Sequence, residues 1–269
     1  MNHLKQLKNK KLFLLDLDGT LYISEKLIGK TLEFLDAVKA KGGQYMFLTN
    51  NSSKSVETYI ERLNKIGIKA QEDNFFTSAQ ATAEYISREY GKQKRAYVVG
   101  TQSFKKSLRD GGFNITDELD DKIELLVVGY DTELTFKKLE DACILLHRGV
   151  DYIATNPDLA CPSQYGFIPD CGAITACIEA ATGKKPHYAG KPDPTMVYLA
   201  AQKAGIPLDK ACMIGDRLYT DIAIGNNAGI TSVAVLTGET TREEIAASSG
   251  NLVPDIVCES IDDVYYAII

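Results

Sequence analysis

Asp16 and Asp18 stand on either side of Leu17 in the stretch LFLLDLDGTLY, with the apolar run Leu12–Leu15 ahead of them and Gly19 behind. Residues two apart in an extended strand point to the same side, so both carboxylates leave the strand end together while Leu17 turns away. Gly19 then lets the chain turn. Two unit charges about 4 Å apart repel by roughly 4 kcal/mol at an effective dielectric near 20, and such a pair calls for a cation or a proton. A calcium loop of the EF-hand kind does not fit, because counting from Asp16 puts Leu21 where that loop needs glycine and Leu27 where it needs glutamate. Alone, DLDGT reads equally well as a solvated turn with two exposed aspartates.

Three later segments carry complementary groups. The stretch YMFLTNNSS ends its apolar run in Thr49 and Asn50, a hydroxyl and an amide able to donate hydrogen bonds to phosphoryl oxygens. HYAGKPDP sets Lys191 behind Gly190, and its ammonium can neutralise a phosphoryl group as a point charge. ACMIGDRLYTDI runs into Gly215 and Asp216, with Asp221 following at the head of a helix. A hydroxyl, a lysine and further acids, each just past an apolar run, form a constellation that chance rarely produces. Lys191 does not belong to a P-loop, since Pro192 follows it where Ser or Thr is required. His187, near the same glycine, is a lone histidine and reads as structural.

Strands must position these groups. Apolar runs of strand length recur at 12–15, 45–48, 96–99, 123–128, 152–154, 211–214 and 233–236, several of them apolar at consecutive positions, as in parallel strands covered on both faces. Between them, Val56, Tyr59, Ile60, Leu63 and Ile66 make one helix face, and Phe136, Leu139, Cys143 and Leu146 another, with Gly149 as its stop. Asp193 and Pro194 open a further helix as cap and first residue, and Gly205 closes it. The alternation predicts βαβ units and an α/β fold with a parallel sheet, where ligands bind off the carboxyl ends of the strands.

Hydrophobic residues make up 45% and charged residues 25% of the 269, a globular balance, and the length suits two moderate domains. A formal net charge of −6 with no long basic run sets the field against a polyanion, so nucleic acid is not an expected partner. The basic start MNHLKQLKNKK leads into an apolar run too short for a signal peptide, and no segment has the length of a membrane span. The expected location is cytoplasmic, with no membrane partner. The six cysteines show neither CxxC nor metal spacing and are expected to be reduced core residues.

In order and strand-end placement, DLDGT, a strand ending in Thr-Asn, Gly-Lys-Pro and Gly-Asp-Arg-x-x-x-Asp resemble the four motifs of the haloacid dehalogenase (HAD) superfamily of phosphohydrolases. The match runs from Leu12 to beyond Asp221, and FLTNNSS, TNPD at 155–158 and GDRLYTDI are similar to its NagD-like, p-nitrophenyl-phosphatase branch. The resemblance implies a doubly wound, Rossmann-like parallel-sheet core with an inserted smaller α/β cap domain, and Mg²⁺-dependent hydrolysis of small phosphomonoesters through an aspartyl-phosphate. It makes Asp16 the nucleophile and Asp18 the acid that protonates the leaving alcohol and then the base that activates water. It has Mg²⁺ held by a carboxylate oxygen of Asp16, the backbone carbonyl of Asp18 and the carboxylate of Asp216. Thr49 and Lys191 would clamp the phosphoryl oxygens, Asn50 would contact phosphate or nearby substrate, and Asp221 would orient Lys191 or a metal-bound water.

The same resemblance divides the chain into a core at 1–79 and 186–269 and a cap at 80–185. Asn156, Asp158 and the loop CPSQYGFIPDC at 161–171 are the cap's candidates for reading the substrate, although on its residues alone that loop is equally an ordinary connection. A sizeable cap favours a small phosphorylated metabolite, a sugar phosphate or a nucleoside monophosphate, with p-nitrophenyl phosphate as artificial substrate. A homodimer through the cap is compatible with this reading, and the oligomeric state is left open. The alternatives are a phosphotransferase or mutase sharing the aspartyl-phosphate, and a non-catalytic phospholigand-binding module. The latter expects loss of a reacting group, whereas Asp16, Asp18, Thr49, Lys191 and Asp216 are all kept.

Overall fold

The computed structural model describes residues 4–163 and 166–269, and the chain forms two compact units. The first takes the chain up to Thr49, Ile60–Phe76 and Lys191–Ile269; the second takes Asn50–Tyr59 and Thr77–Gly190.

A six-stranded sheet organises the first unit, in the order Ile256–Cys258, Thr231–Val235, Ala211–Gly215, Leu12–Leu15, Gln44–Thr49, Phe75–Thr77. The first five of these pair in parallel. The chain starts at Leu12–Leu15, winds outward on one side, then returns to Ala211–Gly215 and winds outward on the other. The carboxyl ends of those two central strands therefore flank the switch point, where a doubly wound sheet opens a crevice. Every residue of Leu12–Leu15 and of Ala211–Gly215 is buried, which is why both runs are apolar without alternation. Helix Thr31–Ala40 covers one face, its Phe34 ring meeting Phe13 edge-on at 5.6 Å. Immediately after DLDGT the chain makes a small antiparallel hairpin, Tyr22–Ile23 with Lys26–Leu27.

The second unit has its own five-stranded parallel sheet, ordered His187–Tyr188, Asp151–Ala154, Leu125–Val128, Ala96–Val99, Ile115–Thr116. Alternation along the strands supplies two cores. Tyr97, Val99, Leu126 and Val128 pack with helices Phe136–His147 and Cys171–Thr182 on one face. Ala96, Val98, Leu125 and Val127 pack with Ile86 of Ser78–Glu89 and with Phe104 and Leu108 of Gln102–Asp110 on the other.

The second unit runs from Thr77 to Gly190 and takes in Asn50–Tyr59 as well. Helix Ser78–Glu89, capped by Thr77 in a capping box with Gln80, commits Ile86 to the second core. His187–Tyr188 adds an edge strand too short to register as an apolar run. Ser52 Oγ accepts from Tyr130 N–H at 2.9 Å and lies 3.0 Å from Thr155 Oγ1, tying in the segment after Asn50. Helix Thr195–Ala204 begins one residue later than Pro194, with Asp193 accepting from Thr195 N–H at 2.9 Å, and ends at left-handed Gly205. Among the described residues no helix is long and apolar enough to cross a membrane.

Candidate active site

Leu15 pairs with Ile214 on one side and Phe47 on the other, so Asp16 and Asp216 leave neighbouring strands side by side. Asp16 N–H donates to the Ile214 carbonyl at 2.9 Å, keeping the first aspartate in register past the strand's formal end. One carboxylate oxygen each from Asp16, Asp216 and Asp221 lies within 4.8 Å of the others. Asp221 comes from Leu218–Ile222, a wide π-helical turn in which Ile222 N–H reaches back to the Arg217 carbonyl. Such turns recur at functional sites.

The Lys191 ammonium stands among them, 2% exposed, at 2.6 Å from Asp16 Oδ1, 2.6 Å from Asp221 Oδ1 and 3.1 Å from the Leu48 carbonyl. These acceptors match the three donors of an ammonium. Burial works against its charge, but the carboxylates of Asp16 and Asp221 more than offset that and hold it above the usual lysine range. Burial pushes the carboxyl of Asp216 up, and the charges of Asp16 and Asp221 push it further. Burial also raises Asp221, although Lys191 opposes the shift. A single lysine thus leaves the trio short of positive charge, and an all-oxygen donor set suits a hard divalent cation.

Backbone donors and glycines hold Asp216 in place. Its Oδ2 accepts from Glu239 N–H at 2.8 Å, and its Oδ1 lies 3.4 Å from the Thr20 hydroxyl. Gly19 has φ +88°, and a Cβ there would stand 2.6 Å from Asp216 Oδ2. Both the turn and the close approach therefore require glycine. Thr49 ends its strand, buried, beside the Leu48 carbonyl that Lys191 engages. The Asp18 carboxylate lies outside the acidic trio, with Arg62 at 3.2 Å and the Tyr22 hydroxyl at 3.3 Å.

In the second unit, Asn50 Nδ2 donates to Asp158 Oδ2 at 2.7 Å. Asn156 Nδ2 donates to the same oxygen at 2.8 Å and to Asp170 Oδ1 at 3.1 Å, while its Oδ1 accepts from the Thr155 hydroxyl. Asn156 is 0% and Asp158 1% exposed. Their polar groups bond to one another and to Asn50 and Asp170, which braces the segment that follows Ala154. Of 161–171, Gln164 and Tyr165 lie outside the described residues; the strands Ala160–Ser163 and Gly166–Pro169 pair antiparallel. His187 stacks on Tyr85 with ring centroids 4.2 Å apart, a structural contact.

Residues 13–114 match the haloacid dehalogenase-like hydrolase family, and residues 188–264 match the HAD-hydrolase-like family. An acid sugar phosphatase of Staphylococcus aureus is 35% identical over 89% of this chain and 91% of its own. A 4-nitrophenylphosphatase from Thermotoga maritima superposes with a TM-score of 0.92 at 41% identity, covering 98% of this chain and 99% of that one. The chain belongs to the haloacid dehalogenase-like hydrolases. Within them it is a NagD-like phosphatase acting on phosphomonoesters. A glycerol phosphate phosphatase from Mycobacterium tuberculosis, in complex with magnesium, matches with a TM-score of 0.89 at 26% identity over 96% of this hydrolase and 78% of its own chain.

The hydrolase also uses groups that the sequence reading passed over. Thr237 Oγ1 donates to the Gly19 carbonyl at 2.5 Å, and a side chain at Gly238 would run into Asp216. Glu239 donates its N–H to Asp216 and pairs with Arg217 at 3.0 Å. The signal was present: this segment follows the apolar run at 233–236, one more carboxyl end in the same parallel sheet. Arg62 and Tyr22 carried no such signal, being a helix residue and a hairpin residue brought to Asp18 only by folding.

Proposed function

We propose that this phosphatase hydrolyses small phosphomonoesters, sugar phosphates foremost, through an aspartyl-phosphate on Asp16, with Mg²⁺ as its cation. The observation that carries the reading is Lys191 bridging Asp16 and Asp221 at 2.6 Å each, with Asp216 in the same acidic trio. Asp16 attacks phosphorus; the ester P–O bond breaks and the leaving oxygen takes a proton from Asp18. Asp18 then takes a proton from water, whose oxygen attacks phosphorus as the P–O bond to Asp16 breaks, releasing inorganic phosphate. Lys191 and Thr49 face the phosphoryl oxygens, and the Lys191 contacts hold Asp16 in line. The residues that would hold Mg²⁺ are Asp16, Asp216 and the Asp18 carbonyl, where the ion would neutralise phosphoryl charge. Asp221 orients Lys191, since its two oxygens already accept from the Lys191 ammonium and from Arg217 N–H at 3.1 Å. The names of the relatives, an acid sugar phosphatase and a glycerol phosphate phosphatase, support an alkyl phosphate as substrate.

The test is phosphate release from sugar phosphates, nucleoside monophosphates, pyridoxal phosphate and p-nitrophenyl phosphate, with and without a chelator. Sugar phosphates should turn over best, chelation should abolish turnover, and Asp16→Asn should lower kcat by at least about 10³-fold while still binding the ester. Near-normal turnover by Asp16→Asn would rule out covalent catalysis at that residue.

A further inference from the structure

Arg62 lies on the helix Val56–Lys65, far in sequence from DLDGT, yet its guanidinium engages Asp18, the Ser24 carbonyl and the Tyr22 ring. One nitrogen is 3.2 Å from Asp18 Oδ1 and 2.8 Å from the Ser24 carbonyl, and the guanidinium lies over the Tyr22 ring at 4.8 Å. Tyr22 is fully buried, and its hydroxyl approaches the other carboxylate oxygen, Oδ2, at 3.3 Å. Each oxygen of Asp18 therefore has its own donor, one from a helix and one from a hairpin. Ser24, at the turn of that hairpin, has φ 58°, a conformation rare for a residue with a side chain, and its carbonyl is the one Arg62 holds.

Asp18 needs such restraint. Its side chain is 42% exposed and does not join the acidic trio, so without partners its carboxylate would rotate freely. Acid/base transfer demands an oxygen fixed within hydrogen-bond reach of the leaving group, and small misplacements cost rate steeply.

We infer that Arg62 and Tyr22 are positioning residues that clamp the Asp18 carboxylate for proton transfer to and from the ester and water oxygens. The inference rests on the reading of Asp18 as the acid/base group. It requires no change in how phosphate or metal is held, because neither residue belongs to the Asp16, Asp216, Asp221 and Lys191 cluster.

The experiment compares two esters on the full chain. In 4-nitrophenyl phosphate the leaving phenolate is stable without a proton, whereas the alkoxide of glycerol phosphate or a sugar phosphate needs one. Asp18→Asn, as reference, should lose far more kcat on the alkyl ester than on the aryl ester. Arg62→Gln should repeat that pattern, with kcat on the alkyl ester falling about 10- to 100-fold against a few-fold on the aryl ester, and little change in KM. Tyr22→Phe, which keeps the ring under Arg62, should show the same signature more weakly, and Arg62→Lys should recover part of the loss. Equal losses on both esters, or a change in KM alone, would overturn the clamp even where Asp18→Asn behaves as described. If Asp18→Asn itself shows no leaving-group dependence, the acid/base reading fails and the clamp falls with it. Melting curves of Arg62→Gln and Tyr22→Phe check that each is folded, and Tyr22→Phe carries the test if Arg62→Gln is not.

Discussion

Lys191 contributes the positive charge inside a cluster of three carboxylates, and its replacement exposes what that charge does. Its side chain is 2% exposed and its ammonium contacts Asp16, Asp221 and the Leu48 carbonyl. Lys191→Met keeps most of the volume but removes the ammonium that Asp16 and Asp221 contact, leaving the cluster only the weaker influence of Arg217. Breaking a buried pair in this way typically costs about 3–5 kcal/mol, because the remaining charge is left uncompensated. Urea unfolding in the presence of a chelator should show a loss of that order, and steady-state turnover should fall by at least about 10²-fold as the phosphoryl oxygens lose their cation. A stability within about 1 kcal/mol of the parent would mean that protonation of the carboxylates, rather than the ammonium, neutralises the cluster.

The strands place these residues, and the sequence discloses strands unevenly. Runs such as Leu12–Leu15 and Ala211–Gly215 are apolar throughout because both faces are covered, so their ends, and with them Asp16 and Asp216, were legible without coordinates. The edge strands His187–Tyr188 and Ile115–Thr116 have two residues each, and no periodicity can be read from a pair. The mutual hydrogen bond of Asn156 and Asp158 was hidden for a different reason: polar residues past a strand look alike in sequence whether they face a ligand or satisfy one another. The loop after Thr231–Val235 was overlooked although its strand was visible, and it makes an element-level prediction. Gly238→Ala sets a methyl group against Asp216 and must move either the carboxylate or the loop whose Glu239 N–H supports it. Metal affinity, followed by titrating activity with Mg²⁺, should weaken by about 10- to 100-fold, as is usual when a ligand's support is disturbed. Unchanged affinity would show that the loop carries no part of the ligand's orientation.

For the molecule as a whole, the acidic cluster links folding to both pH and metal. Burial together with the neighbouring carboxylates raises Asp216 to about 8 and Asp221 to about 6, so the folded chain retains protons that the unfolded chain releases in the ordinary carboxylate range. Stability falls with rising pH wherever the native state binds more protons, so this contribution is present in full below the ordinary carboxylate range and is lost as pH rises towards 8. A divalent cation binds the deprotonated carboxylates, so its stabilising effect runs the other way and grows with pH. Melting temperatures taken with a chelator from pH 5 to 8 should therefore fall more steeply for the parent than for Asp216→Asn, whose amide does not titrate. Added Mg²⁺ should raise the parent's melting temperature more at pH 8 than at pH 5 and should hardly move Asp216→Asn. The difference between the two proteins isolates the cluster from the many surface carboxylates of a chain with formal net charge −6. Parallel curves for the two proteins, or a Mg²⁺ shift independent of pH, would show that Asp216 is already ionised in the metal-free fold and that Lys191 alone balances the site.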